Sequence, residues 1–396
     1  MLDSIYIGMT GLMGYSEGLK VIANNTANMN TPGFKSSTLQ FGDLLYTDGK
    51  SDLGLGGSMS GHGFGLSTFG TTLNFNSGEL RQTGNSMDLA VDGLGLFMLQ
   101  AQDGSIRYTR SGQFDFNDAG ELITRTGGLK VFGIDAAGNV GIVSVAGART
   151  SAAKATGKVS FTGNLSSTAT EQTVGNLKVF DVAGVEHALS LKFTNGSATT
   201  PGSWAVSILD GTTEVGNGTI QFTNGSPSAD TAQLTFSYTP PGQAEMSVTL
   251  DFSKDVTSFA SGNLSTLAAS GGDGTPAGTL ANIGFDENGF VVLTYSNGES
   301  TKGDRLLLGR FDSSDAIKAV GDNLFMSTND SLWHQGVANS DAFGGIKPVT
   351  IEISNVDLSQ EFSDLVIMQR GYQASSQVIS TANDMLQELF TMKSQA

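Results

Sequence analysis

The sequence predicts a mainly β protein, built of antiparallel β-rich domains with one inserted in the other. Long α-helices at both termini form a coiled-coil-like inner domain. Three observations lead there. Apolar residues step by three and four at each end, turn dipeptides punctuate short alternating runs between the ends, and a composition shift divides the middle in two. At 396 residues the chain has room for two or three cores. Its 53 glycines against 7 prolines favour frequent tight turns and exclude collagen-like and polyproline readings.

From the N-terminus, Leu2, Ile5, Met9, Leu12, Ser16, Leu19, Ala23 and Thr26 alternate steps of three and four, which predicts one helix of about 27 residues with a coiled-coil seam. The helix should stop before Pro32, since the residue before a proline is pushed out of helical geometry and Gly33 permits a sharp turn. Gly8, Gly11, Gly14 and Gly18 each cost about 1 kcal/mol relative to Ala, so the helix is weak alone. Small residues there permit close approach by a neighbouring helix.

At the other end Leu358, Phe362, Leu365, Gln369, Tyr372, Ser376, Ile379, Asn383, Leu386 and Phe390 keep the four-three step. Asp357 with Gln360 is a capping pair, and Glu361 suits the positive end of a helix. A lone hairpin of two such helices buries too little to offset its ordering, so the termini are expected to order on assembly against other subunits.

Between the ends, Asp103-Gly104, Asn195-Gly196, Asp210-Gly211, Asn224-Gly225, Asn288-Gly289 and Asn297-Gly298 mark tight hairpins. The runs 234–238 and 290–295 read as strands. Residues 159–253 are rich in Thr, Ser, Asn and Val, and small-residue stretches at 146–156 and 266–278 flank them as linkers. The expected division is 1–35 for the N-terminal helix of the inner domain and 36–70 for an extended linker or loop. A first β-domain is split into 71–149 and 280–357, an outer β-domain is inserted at 150–279, and 358–396 is the C-terminal helix. The Gly-rich stretch 54–65 reads as a mobile loop and lacks dinucleotide-binding spacing.

With 21 basic against 38 acidic residues and a formal charge of −17, the charge balance disfavours nucleic acid and anionic membrane surfaces as partners. Most of the acid excess lies between the ends, which leaves the ends freer to pack. No cysteine is present, so disulfides and thiolate chemistry are excluded. The first residues lack the basic and apolar regions of a cleavable signal, and no stretch has the length of a membrane span. His62, His187 and His334 have no paired spacing and read as surface or loop residues rather than metal ligands. Residues 115–120 resemble the start of a calcium loop, but Ala119 occupies a ligand position, so a turn is expected. No nucleophile or phosphate-binding motif occurs, no cofactor is implied, and an enzyme would need a clustered polar site that the sequence does not supply.

Several local signatures converge on one family. Asn24, Asn25, Ala27 and Asn28, followed by the turn Thr31, Pro32, Gly33, Phe34 and Lys35, resemble the N-terminal signature of the bacterial flagellar rod and hook axial proteins. The run 78–97, with Arg81, Asp88, Asp92 and Phe97, resembles their first-domain motif, as does Tyr108-Thr109-Arg110 with Gly112 and Phe114. Asn355-Val356-Asp357-Leu358 and Gln369-Arg370-Gly371-Tyr372-Gln373 resemble the C-terminal signature. Residues 164–193 resemble the additional outer domain of hook subunits, which distal rod subunits lack. The opening 4–12 and the segment 41–46 look more rod-like, and Leu96 stands where the family has an aromatic residue.

The resemblance implies a non-enzymatic subunit of the flagellar hook that self-assembles into a curved helical tube at the cell exterior. A distal rod subunit or rod-hook hybrid is the alternative within the family, and a secreted β-rich adhesin the alternative outside it. Implied partners are copies of itself, rod, hook cap and hook-filament junction proteins, and the flagellar type III export apparatus. Polymerisation is expected to use Leu2, Ile5, Met9, Leu12, Leu19, Asn24, Asn25 and Asn28 from the first helix. From the second it is expected to use Leu358, Phe362, Leu365, Tyr372, Ile379, Leu386 and Phe390.

Overall fold

The computed structural model describes residues 2–44, 46–47 and 62–395. Helix α1 spans Leu2–Ala27 and α2 spans Leu358–Gln395. Most of the Gly-rich stretch 54–65 lies outside the described residues. The chain forms two compact units. The first comprises 1–146, 283–292 and 302–396, and the second 147–282 and 293–301.

Both helix ends form where capping chemistry places them. The Asn28 N–H bonds back to the carbonyls of Asn24 and Asn25, and the chain then turns through Thr31 to Gly33, which sits at φ +71°. A Cβ on Gly33 would lie 2.4 Å from the Ser111 nitrogen, so only glycine fits that turn. At the start of α2, Asp357 Oδ1 accepts from the Ser359 N–H at 2.8 Å and from the Gln360 N–H at 3.3 Å. The capping pair is half made, because the Gln360 amide turns to Asp364 instead of reaching back.

The stretch 36–70, expected as a linker, contains structure. Ser37–Asp43 pairs antiparallel with Leu66–Leu73 in a bulged ribbon. The ribbon lies on α1: the Phe41 ring stands 6.0 Å from that of Tyr15, and Thr10 Oγ1 accepts from the Leu66 N–H at 3.2 Å. The hairpin of helices is therefore not alone, because the ribbon buries part of α1 within the same chain.

In the first unit, the strand Ser300–Phe311 pairs antiparallel with Lys130–Ile134 and with Leu96–Gln100. Leu96–Gln100 in turn pairs with Ile106–Thr109. The hairpin Ile317–Gly321 and Leu324–Ser327 extends this sheet through Tyr108 and Thr109. Leu89, Phe97, Leu99, Phe114, Leu122, Val131, Leu306 and Leu308 form its fully buried centre, with Phe97 and Phe114 edge to face at 5.0 Å.

The second unit packs two five-stranded sheets around one core. One carries Gln233–Tyr238, Met246–Asp251, Lys158–Asn164, Val256–Thr257 and Ala268–Gly272. The other carries Glu171–Phe180, Glu186–Asn195, Ser203–Asp210, Thr213–Thr223 and Ser226–Pro227. Alternate residues point inward, as in Ala188–Phe193, so Leu189, Leu191, Phe193, Trp204, Val206, Ile208, Val248 and Phe252 meet between the sheets. Lys158–Asn164 runs parallel to its neighbours Met246–Asp251 and Val256–Thr257, an exception to the antiparallel rule. The Asn224-Gly225 pair, at φ +52° and +82°, closes the tight hairpin expected of it.

His187 corrects the expectation of a surface or loop residue. It lies in the strand Glu186–Asn195, largely buried, with Nε2 3.1 Å from Asp181 Oδ2 and its ring against Tyr238. His334 also lies on a strand, half exposed, with Nε2 2.8 Å from Asp312. The turn expected at 115–120 is present, closed by the Gly120 N–H on the Asn117 carbonyl. Among the described residues, no helix is long and apolar enough to cross a membrane.

Candidate functional site

The two helices pair antiparallel, and their glycines set the spacing. A Cβ on Gly8 would lie 2.7 Å from Ile379 Cγ1, one on Gly11 2.6 Å from Ser375 Oγ, and one on Gly18 2.9 Å from Met368 Sδ. From the other side, a Cβ on Gly371 would meet the Tyr15 ring at 2.5 Å. The missing side chains let the backbones approach to where an added Cβ would press on a side chain of the other helix. The seam on α1 thus follows Gly8, Gly11, Tyr15, Gly18, Ile22 and Asn25, one position before the apolar stripe expected from sequence. A period count weighted by hydrophobicity overlooks glycine, whose contribution here is the absence of volume.

At the far end of the seam Asn25 is buried. Its Nδ2 donates to Glu361 Oε1 at 2.9 Å and to the Ser37 carbonyl at 2.8 Å, and its Oδ1 accepts from the Ser37 N–H. One amide therefore joins α1, α2 and the ribbon. Burial pushes the Glu361 carboxyl above the usual range; the Asn25 bond opposes this and Asp364 adds to it.

Large apolar side chains are left on the faces that the seam does not use. On α1, Tyr6, Met9 and Met13 step by three and four and are exposed. On α2, Val378, Met385 and Met392 recur every seven residues and are exposed, as are Phe362 (57%) and Phe390 (70%). Aligning Asn25 with Glu361 and Gly8 with Ile379 brings Leu2 opposite residues near 385, so the last ten or so residues of α2 continue about 15 Å past α1.

A buried ionic anchor ties the chain after α1 to the chain before α2. Lys35 Nζ lies 2.6 Å from Glu352 Oε1, and Arg110 Nε lies 2.8 Å from Glu352 Oε2. All three side chains are nearly inaccessible to solvent. Lys35 also donates to the Asn76 carbonyl, the Gly78 N–H donates to Glu352 Oε1, and Arg110 donates to the carbonyls of Gly93 and Gly95. Burial pushes the Lys35 ammonium down from its ordinary value, with Glu352 working against that shift and Arg110 adding to it. Beside the triad, the Gly33 N–H donates to the Glu352 carbonyl at 2.8 Å, and Asn355 bonds to Ser36, Asn74 and Asn76. Asn323 donates to the Pro32 carbonyl at 3.1 Å.

The site residues expected from sequence fall into three groups. Ile5, Leu12, Leu19, Leu358, Leu365, Ile379 and Leu386 are half-buried along the hairpin, while Met9, Phe362, Tyr372 and Phe390 point to solvent. Asn25 is buried, Asn28 half-buried and Asn24 exposed, and the last two line a polar groove of about 690 Å³ with Phe34, Thr72, Lys318 and Asp322. Thr31, Pro32, Gly33 and Phe34 form the turn pressed on the 110–111 backbone, with Thr31 Oγ1 bonded to Asn28. Glu352 and the structural part of Arg110 escaped sequence reasoning. The available signal was an acid within the apolar run 349–353 alongside basic residues in two separate motifs.

Comparison with known proteins matches three family models, covering a segment at each end and one that runs from the first unit into the start of the second. They are "Flagella basal body rod protein" at residues 5–35, "Flagellar hook protein FlgE/F/G D1 domain" at 90–161 and "Flagellar basal body rod FlgEFG protein C-terminal" at 350–392. The chain is 28% identical to the flagellar hook protein FlgE of Escherichia coli over 97% of this chain and 98% of that one. It is 26% identical to the flagellar hook protein FlgE of Borreliella burgdorferi over 99% and 100%. Among solved structures, the crystal structure of Helicobacter pylori flagellar hook protein FlgE2 shares the fold, with a TM-score of 0.50 and 13% identity over 67% of this chain and 99% of that one.

Proposed function

We propose that the chain is a structural subunit of the flagellar hook, which self-assembles into an open helical tube; the three matched family models and the full-length likeness to hook proteins support this reading. One observation carries the reading to mechanism. The helical hairpin closes its own seam with glycine and keeps Tyr6, Met9, Met13, Val378, Met385 and Met392 uncovered. Contacts between such faces on successive copies are heterologous, and repeated without closure they generate a tube. Burying those side chains supplies the driving force.

The rest of the proposal follows from that role. The work of the chain is mechanical rather than catalytic: a curved tube that carries torque as a universal joint. Its partners are copies of itself, the rod below, the cap and junction proteins above, and the flagellar type III export apparatus, which delivers it to the cell exterior. The interface draws on the residues named on α1 and α2, and the segment 150–279 serves as a separable outer module. The full-length agreement with hook proteins supports the hook over a rod subunit. Concentrated purified chain should form tubes visible by electron microscopy, and the gene should restore hooks and swimming to cells lacking their own subunit. A chain that stays monomeric and restores neither would overturn the reading.

A further inference from the structure

We infer that the loop 258–266 of the second unit is a contact surface for a second copy of this chain; the inference rests on the polymer reading above. Phe259 (56% exposed) and Leu264 (79% exposed) project from this loop into solvent. The loop that displays them is tied down. Asn164 Oδ1 accepts from the Phe259 N–H at 2.8 Å and the Thr257 hydroxyl at 3.1 Å, and its Nδ2 donates to the Phe259 carbonyl and to Ser261 Oγ. Ser166, fully buried, accepts from the Ser261 N–H at 3.1 Å and donates to the Gly262 carbonyl. Ser261 Oγ donates to the Leu264 carbonyl at 2.6 Å.

The Phe259 ring lies over Gly225, where a Cβ would stand 2.3 Å from ring carbons, and the Ser258 N–H donates to the Gly225 carbonyl. Both neighbours of the ring are thus specified, one by a bond and one by a missing side chain. A rigid display of this kind has met its ordering cost before contact, which is the condition for an efficient hot spot.

Charge points to a second copy as the occupant. Each copy carries a formal charge of −17, so copies packed side by side repel wherever acidic surfaces face one another. Residues 256–272 contain no charged side chain, and Asp255 and Asp273 bound them. Two copies can approach there without that repulsion. In an open polymer every copy has the same orientation relative to its neighbours, so the patch recurs at regular spacing.

The test uses the full chain. A photoreactive amino acid at position 264 should yield, in assembled tubes, covalent multimers of this chain. Phe259→Ser with Leu264→Ser should raise the critical concentration for assembly by about tenfold or more, without changing the melting of the second unit. Gly225→Ala, which displaces the ring but keeps both side chains, should raise it less. If the double variant unfolds, Leu264→Glu alone decides, since that side chain lies in solvent. Wild-type tubes together with an unchanged critical concentration for the variants would overturn this inference and leave the polymer reading intact. Cross-linking in cells only to a different protein would also overturn it. Failure of the wild-type chain to assemble would sink both.

Discussion

Replacing Glu352 by Gln preserves the shape of the buried anchor and removes the carboxylate between Lys35 and Arg110. At contacts of 2.6 and 2.8 Å, an effective dielectric near 20 gives an attraction of about 6 kcal/mol for each pair, largely offset by desolvation of three charges. What the variant loses is better gauged by the cost of leaving buried charges unpaired, about 3–5 kcal/mol. That is a large part of the 5 to 15 kcal/mol, roughly, that holds a typical domain folded. For a unit of this size the melting transition of the first unit should fall by about 6–20 °C, while that of the second stays in place.

The same defect should depend on pH. Burial already sets the Lys35 pKa in the folded chain below its unfolded value, and Glu352 is the group that holds it up. Without the carboxylate, the folded-state pKa falls further. The penalty is present below that folded pKa and is relieved as pH rises through it, so the variant should recover part of its stability as pH is raised toward about 10, where the unfolded Lys35 itself loses its charge. Calorimetry across that range measures both effects. A loss under about 1 kcal/mol, or a loss independent of pH, would show that shape rather than charge holds the anchor.

Three further outcomes are expected. Gly8→Ala should destabilise the hairpin by about 1 kcal/mol despite better helix propensity, because Ile379 is stiff and the Ser375 carbonyl lies 3.2 Å away; Gly18→Ala, facing flexible Met368, should be neutral or stabilising in the same denaturant titration. Val378→Asp or Phe390→Asp should leave both melting transitions intact and prevent tube formation in a sedimentation assay, and normal tubes from either would remove the outer face of α2 from the interface. In the second unit, burial and a hydrogen bond to Asp210 push the Tyr238 phenol up to about 12. The unfolded chain should therefore ionise first, and stability should fall by up to about 3 kcal/mol as pH rises from about 10 through 12, followed by phenolate absorbance.

Much of the fold was open to sequence reasoning where the signal was local. The turn pairs Asp210-Gly211 and Asn224-Gly225 and the strand 290–295 lie where backbone sterics and alternation place them, because those rules act within a few residues. Helix existence followed from period, and its ends from Pro32 and Asp357. The ribbon 37–43 with 66–73 was missed because its partners lie some thirty residues apart and its exposed pattern resembles a linker. His187 was misjudged because nothing local to it announces that Asp181, six residues earlier, folds back to hold the ring.

By itself, the sequence determined the mainly β class, the two terminal helices and the likeness to flagellar axial proteins carried by its motifs, all of which depend on short-range geometry or on residues read in order. The tertiary structure decided which face of each helix is closed and which is left open. That choice turns on the contacts of Gly8, Gly11, Gly18 and Gly371, where the deciding quantity is distance to another helix hundreds of residues away. It also decided that Lys35, Arg110 and Glu352, unremarkable one by one, are a single object. Charges buried together gain their energy from desolvated proximity, and proximity across 317 positions of chain exists only after folding.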